Sequence, residues 1–304
     1  MGNAYQTKGG ESMHFENLLD TNQFLIIAQL EPPKGVDTTQ LVRSVDSLKG
    51  RVHAVLVPEL SGAIMRMGSL GASVLLKQKG LEPIVNFHSR DRNRLALQAD
   101  LLSAFSLGLE NLFISKGDEI TSGDHIEAKP VHDLDEIALL EVIRRFQKGT
   151  DLIGNELTGV PNFFVGSEVN AGLQRGALEL EILEMEKKIK SGANYFFTPP
   201  LYDLNVLENF LKKVSPFKVP VFPQVIVLKS AGMARFMSRH IEGVVIPEEI
   251  IDRLSRAPDK IKEGIAIAAE TIQKLKTLCR GVLLVAIGEE ERLCAVLDRT
   301  EGYC

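Results

Sequence analysis

The sequence predicts a single (β/α)8 barrel of the TIM type, an α/β fold, and three observations carry that reading. The chain has 304 residues, close to the roughly 250 that such a barrel needs once short extensions are added. Eight short apolar runs recur along it, each continuous in the manner of strands buried on both faces. Between the runs lie stretches of helical period, and strand–helix alternation of this kind builds a parallel sheet.

Taken in order, residues 1–20 are polar, contain Gly9-Gly10 and lack an apolar core. They read as a flexible leader ahead of a barrel over residues 21–304. An acylation signal at Gly2 fails because position 6 is Gln6 where Ser or Thr is needed. The strand runs are Phe24–Leu30, Val52–Val57, Pro83–Phe87, Leu112–Ser115, Asn162–Val165, Tyr195–Thr198, Val219–Val225 and Val282–Ile287. Leu178, Ile182, Met185 and Ile189 step by four, three and four, which makes one apolar stripe on a helix. Asp133 followed by Glu136 reads as a capping box opening a helix through Phe146. After the seventh run, Ser230–His240 and Pro247–Arg256 read as two helical segments in place of one. No linker divides the chain, so one domain is expected.

Composition narrows the function. With 44% hydrophobic and 25% charged residues, the chain can fill a large core. A net charge of −5 argues against nucleic acid or an anionic membrane as a general partner. No run approaches the roughly 18 apolar residues of a membrane span. Cys279, Cys294 and Cys304 form no C-x-x-C pair. Neither a disulfide framework nor a metal site is expected, and the cytoplasm is the natural location.

In a barrel of this kind the chemistry collects at the carboxyl ends of the strands. The residues just past the runs therefore define a candidate site. They are Gln29 and Glu31 after the first, Glu59 after the second, and His88, Arg90 and Asp91 after the third. Lys116-Gly117-Asp118 follows the fourth, Glu168 the fifth, Thr198 the sixth, Gln224 the seventh and Glu289 the eighth.

Five segments, PPKG at 32–35, RDRNR at 90–94, ISKGD at 114–118, KKIKSGANYFFTPPLYD at 187–203 and RGVLLVAIG at 280–288, follow one another in an order and spacing that resemble the methylenetetrahydrofolate reductase family. The resemblance spans about residues 24–300. It implies a barrel that binds a flavin, usually FAD with FMN as the variant, and passes hydride to methylenetetrahydrofolate. The electron source would be a reduced nucleotide or an electron-transfer protein, and the chain would work as an oligomer or in a hetero-complex.

The same resemblance assigns roles. Lys116-Gly117-Asp118 is similar to the family's Arg-Gly-Asp flavin loop, with Asp118 at the pyrimidine end of the flavin and against the pterin. Lys188, with Lys187 beside it, matches a family lysine on the cofactor's phosphate-bearing part; the residues themselves also allow an i to i+4 pair with Glu184. His88 and Arg90 are candidate cofactor contacts, the family's own third-strand histidine falling at Asn86. Thr198 and Gln224 are candidate substrate contacts, although family members commonly read Thr-Gln where this chain has Thr198-Pro199, and a glycine where it has Gln224. Near Glu289, some members place an arginine for the folate tail.

The largest departure is at Gln29. The family's acidic glutamate stands there, three residues before the Pro-Pro pair, and an amide cannot supply an acidic proton. Glu31 lies two residues on, on the same side of an extended strand, and is the candidate replacement acid. Three function classes fit: a divergent flavin-dependent reductase, a non-catalytic flavin- or folate-binding subunit, and a flavin-free pterin-binding or methyltransferase barrel.

Overall fold

Eight parallel strands close into a barrel in chain order: β1 (Leu25–Gln29), β2 (Ala54–Val57), β3 (Pro83–His88), β4 (Asn111–Ser115), β5 (Phe164–Glu168), β6 (Tyr195–Pro200), β7 (Val221–Ile226) and β8 (Gly281–Val285). The ring is sealed by β1 against β8, with Leu25 opposite Gly281 and Ala28 opposite Leu284. These features come from a computed structural model that describes residues 15–301. The expected (β/α)8 fold is the observed one, and all eight runs overlap a strand.

The boundaries moved where small residues replace bulky ones. β5 starts and ends later than its apolar run, because Gly166 and Ser167 belong to it. Ser167 donates its hydroxyl to the carbonyl of Ile114 at 3.1 Å, and a Cβ at Gly166 would stand 2.2 Å from the ring of Tyr195. Hydropathy misses such residues although packing requires them.

The barrel interior is a column of rings. Tyr195 stacks on Phe164 at 5.1 Å and meets Phe197 edge-on at 5.4 Å, while Phe197 lies 5.1 Å from Phe113. The Tyr195 hydroxyl, buried with its ring, donates to the carbonyl of Leu112 at 2.8 Å, so its polar end is satisfied. Phe15, on a short helix over Phe15–Leu18, enters the column from below and meets Tyr195 edge-on at 5.5 Å. Packed structure thus begins before residue 21, earlier than the leader boundary read from the sequence; Gly2, Gly9-Gly10 and the rest of residues 1–14 lie outside the described residues, as does Cys304.

Helices cover the outside. The stripe with Leu178 and Ile182 lies on Arg175–Lys190, with Met185 buried. The helix after β4 runs from Glu136 to Phe146, but its cap is Asp135, which accepts from the N–H of Ala138. Asp133 instead receives the Arg94 guanidinium and backbone N–H, so the expected capping box does not form. Between β7 and β8 there are three helices, Ala231–His240, Glu248–Arg256 and Lys260–Leu275. The third buries Ile265, Ala268, Ile272 and Leu275 and is the extra element beyond the two expected.

Candidate active site at the carboxyl ends of the strands

The ring column stops below the strand ends, and above it opens a cavity of about 380 Å³. Phe113, Phe197, Leu56 and Leu283 form its apolar floor, and Gln29, Glu59, Asn86, Ser115, Asp118, Glu168, Thr198 and Gln224 supply polar walls. Volume and composition suit a flat, polar-edged ring system of modest size.

Each wall has its own cause. Asn86 points inward from β3 and is fully used: its amide donates to the Phe113 carbonyl at 3.0 Å and to Ser115 Oγ at 2.9 Å, and its oxygen accepts from the N–H of Glu59. Glu59 is clamped by Arg92 at 2.5 Å, and Arg92 also holds Asp100 at 2.8 Å and lies over the Phe87 ring. Burial nevertheless pushes the Glu59 carboxyl above its ordinary range, Arg92 opposing. On β6 the register slips between Phe197 and Pro200, because two prolines have no N–H for the ladder. Thr198 patches the gap by accepting the Gln224 N–H at 3.3 Å.

The β4 loop forms one side of the mouth. Gly117 has φ +84°, and a Cβ there would stand 3.0 Å from the His88 ring, so glycine is required twice over. Asp118 reaches across to accept the N–H of Gly62 at 2.7 Å, and its own carbonyl accepts from Arg90 at 2.6 Å. Arg90 forms a two-pronged pair with Asp91 at 2.7 and 2.6 Å. His88 is buried beneath this pair, its Nε2 3.6 Å from Asp91. Burial and then the Arg90 charge push its pKa down to about 4, so the ring is neutral near pH 7. The loop continues over two further cavities, of about 200 and 380 Å³, where Arg90 is joined by Lys129, His125 and His132.

A family model described as methylenetetrahydrofolate reductase matches residues 14–301. The chain belongs to the methylenetetrahydrofolate reductase family. Among solved structures, an uncharacterized protein from Clostridium thermocellum that binds two copies of 5-methyl-5,6,7,8-tetrahydrofolic acid is similar at TM-score 0.66. It is 14% identical, with 95% of this chain and 97% of that one covered. An oxaloacetate acetylhydrolase (TM-score 0.51, 10% identity, 96% and 85% covered) and 2,3-dimethylmalate lyase, a PEP mutase/isocitrate lyase superfamily member (0.50, 8%, 88% and 78%), share the barrel. At these identities the likeness is one of fold.

Against this reductase-family frame, the expected residues divide. Gln29, Lys116, Gly117, Asp118, Thr198 and Gln224 come together around the cavity. Arg90 joins the adjoining cavities, but its guanidinium is already taken by Asp91 and Asp118. The Lys116 side chain is exposed, 3.9 Å from Glu119, while its backbone N–H donates to Glu168 at 3.4 Å. His88 supports the loop from below. Glu31 does not line the cavity: its Oε1 accepts the Gln29 amide at 2.8 Å, and Arg66 Nε lies 3.6 Å from Oε2. Burial raises its pKa, with the Gln29 bond and the Arg66 charge opposing.

Lys187 is exposed on its helix. Lys188 departs most from the expected role. Its ammonium is buried, donating to the Glu168 carbonyl at 3.0 Å and to Glu136 at 3.4 Å, with Glu184 at 3.7 Å. Its partners join β5 to the two helices beside it, and Lys188 is not among the residues that line the cavity. The residues without a role in the sequence reading are Ser61 and Ser115 on the cavity wall, Arg66 beside Glu31, and Glu136 as a partner of Lys188, whereas Glu168 lines the cavity as expected of a strand-end residue. Ser61 and Arg66 sit several positions beyond a strand end, where no strand-end rule reaches. Glu136 comes from a helix start, and only the fold brings it to β5.

Among the described residues no helix is long and apolar enough to cross a membrane, and no cluster of three or more His, Cys, Asp or Glu side chains could hold a metal ion.

Proposed function

We propose that this chain binds a reduced folate with its pterin in the central cavity and reduces methylenetetrahydrofolate to methyltetrahydrofolate with the help of a bound flavin. The carrying observation is the cavity itself, an aromatic floor under acceptor-rich walls in a chain of this family. The pyrimidine edge of a pterin presents adjacent N–H donors, which carboxylates accept in pairs, while its face packs on Phe113 and Phe197. Folate binding by the Clostridium thermocellum barrel supports the same reading.

A flavin suits the mouth, because the central cavity runs through Gly117 and Asp118 into the groove with Lys129 and His132. Asp118 and the Gly117 backbone would hold the ring edge, and Lys116 and Lys129 would meet the phosphate of FAD or FMN. Lys188, buried among carboxyls, is not available for that task. Bound there, the flavin supplies the hydride, the electrons coming from a reduced nucleotide or an electron-transfer protein. This chain's residues orient the pterin, exclude water over the floor and manage one proton. That proton is needed on the folate nitrogen as its bond to the methylene carbon opens. Gln29 cannot give it. Glu31 stands behind Gln29 and serves by fixing the Gln29 amide.

A second reading has a specific observation in its favour: an amide lies on the cavity wall where the family keeps its acid. It makes the chain a folate-binding subunit without the reduction, with or without flavin. The visible spectrum of the purified protein, with methylenetetrahydrofolate turnover driven by a reduced viologen dye, separates the two. Flavin absorption together with turnover is expected. A colourless protein that neither FAD nor FMN reconstitutes and that turns over nothing would overturn the reductase reading.

A further inference from the structure

Among the described residues three carboxylates line the central cavity, and Glu59 is the enclosed one. Its side chain is 9% exposed, whereas Asp118 is exposed at the mouth and Glu168 is half-buried. Asp118 and Glu168 also have local tasks, accepting the N–H groups of Gly62 and Lys116. Glu59 is held from behind. Arg92 donates to its Oε2 at 2.5 Å, and Ser69 Oγ lies 3.1 Å from the same oxygen. Among the described residues nothing donates to Oε1. Arg92 brings one positive charge and divides it between Glu59 and Asp100, which it holds at 2.8 Å. An enclosed carboxylate with a shared counter-charge and an unused oxygen gains from an N–H donor that enters the cavity. Its position is fixed too. Asn86 accepts the Glu59 N–H at 3.0 Å and donates to the carbonyl of Phe113 at 3.0 Å, which ties Glu59 to the aromatic floor.

We propose that Glu59 selects the ligand ring: its free oxygen accepts an N–H from the exocyclic amino group of a 2-amino-4-oxopyrimidine edge and disfavours a ring with a carbonyl at that position. The assignment deepens the folate reading above and rests on it. A pterin carries that amino group. A flavin carries a carbonyl at the matching carbon, so Glu59 reserves the inner cavity for the pterin and leaves the flavin to the mouth. Arg92, Ser69 and Asn86 are positioning residues, which hold the acceptor in place before the ring arrives and so reduce the ordering cost of binding. Arg92 has a second effect: it opposes the burial that raises the Glu59 pKa and so favours the acceptor form. In an enclosed site a carbonyl set against that carboxylate has no water to relieve it, and the discrimination is correspondingly strong.

Competition against bound 5-methyltetrahydrofolate, read by calorimetry with 6-methylpterin and 6-methyllumazine as probes, tests the assignment. The two rings differ at the 2-position, an amino group in the first and a carbonyl in the second. The wild type should bind the pterin at least ~10-fold more tightly. In Glu59→Gln, Arg92 and Ser69 retain the amide oxygen, which turns the NH2 toward the cavity. This variant should lose ~10-fold or more in pterin affinity and hold the lumazine as well as the wild type does or better, so that the preference vanishes or reverses. A purely structural Glu59 would weaken both rings alike, and that result would refute the assignment. Equal affinities in the wild type overturn it without any variant, and so does a Glu59→Gln protein that keeps the wild-type preference. A wild type that binds no 5-methyltetrahydrofolate contradicts the folate reading and takes the assignment with it, whereas one that binds the folate without discriminating between the rings contradicts the role of Glu59 alone.

Discussion

Gln29 and Glu31 lie two residues apart on β1 and its continuation, yet only Gln29 lines the cavity. Glu31 holds the Gln29 amide from behind, with Arg66 as its charge partner. Glu31→Gln should therefore change turnover by less than ~10-fold, against ~100-fold for an acid in direct contact. Steady-state rates of that variant check this, and a loss of the larger size would make Glu31 the acid. His88 makes a separate prediction about stability. Its folded pKa is about 4, below the ordinary 6.5, so the unfolded chain takes up a proton first as pH falls. Its contribution is complete above about 6.5 and is lost as pH drops through about 4, by ~2–3 kcal/mol over that window. Urea denaturation of wild type and His88→Gln across that range should show the steeper fall in the wild type.

At the scale of elements, β5 and the β4 loop decide most. A Cβ at Gly166 would overlap the Tyr195 ring, which is pinned by Phe15, Phe164 and its hydroxyl bond to Leu112. Gly166→Ala should cost ~3 kcal/mol, the upper range for overpacking, as measured by urea denaturation. A cost under ~1 kcal/mol would mean that the ring column yields. The barrel was legible because eight apolar runs and their helical spacers repeat regardless of detail. Much of the cavity wall was legible too, since Gln29, Thr198 and Gln224 lie in the carboxyl-terminal halves of their strands and Asp118 just past one. Lys188 was not. Its sequence neighbourhood is a lysine-rich helix end, and nothing local shows that one of these lysines turns inward to meet Glu136 from 52 residues earlier. Asp133 misled for a related reason: Asp135 occupies the cap, leaving Asp133 to Arg94.

Seen whole, the molecule is a column of rings with a plug below and a polar cavity above. Phe15 is fully buried in the lower end, so Phe15→Ala should cost ~3–5 kcal/mol. A chain starting at residue 21 should melt well below the full chain in calorimetry, and equal melting would show that the plug is dispensable. The central claim, however, concerns the upper end. Calorimetric titration with 5-methyltetrahydrofolate of the wild type, of Asp118→Ala, and of Lys187→Ala as an exposed control tests it most directly. The account predicts that the wild type and Lys187→Ala bind alike and that Asp118→Ala binds at least ~10-fold more weakly, about 1.4 kcal/mol. A wild type with no affinity for the folate, or an Asp118→Ala variant that binds as tightly, would contradict it.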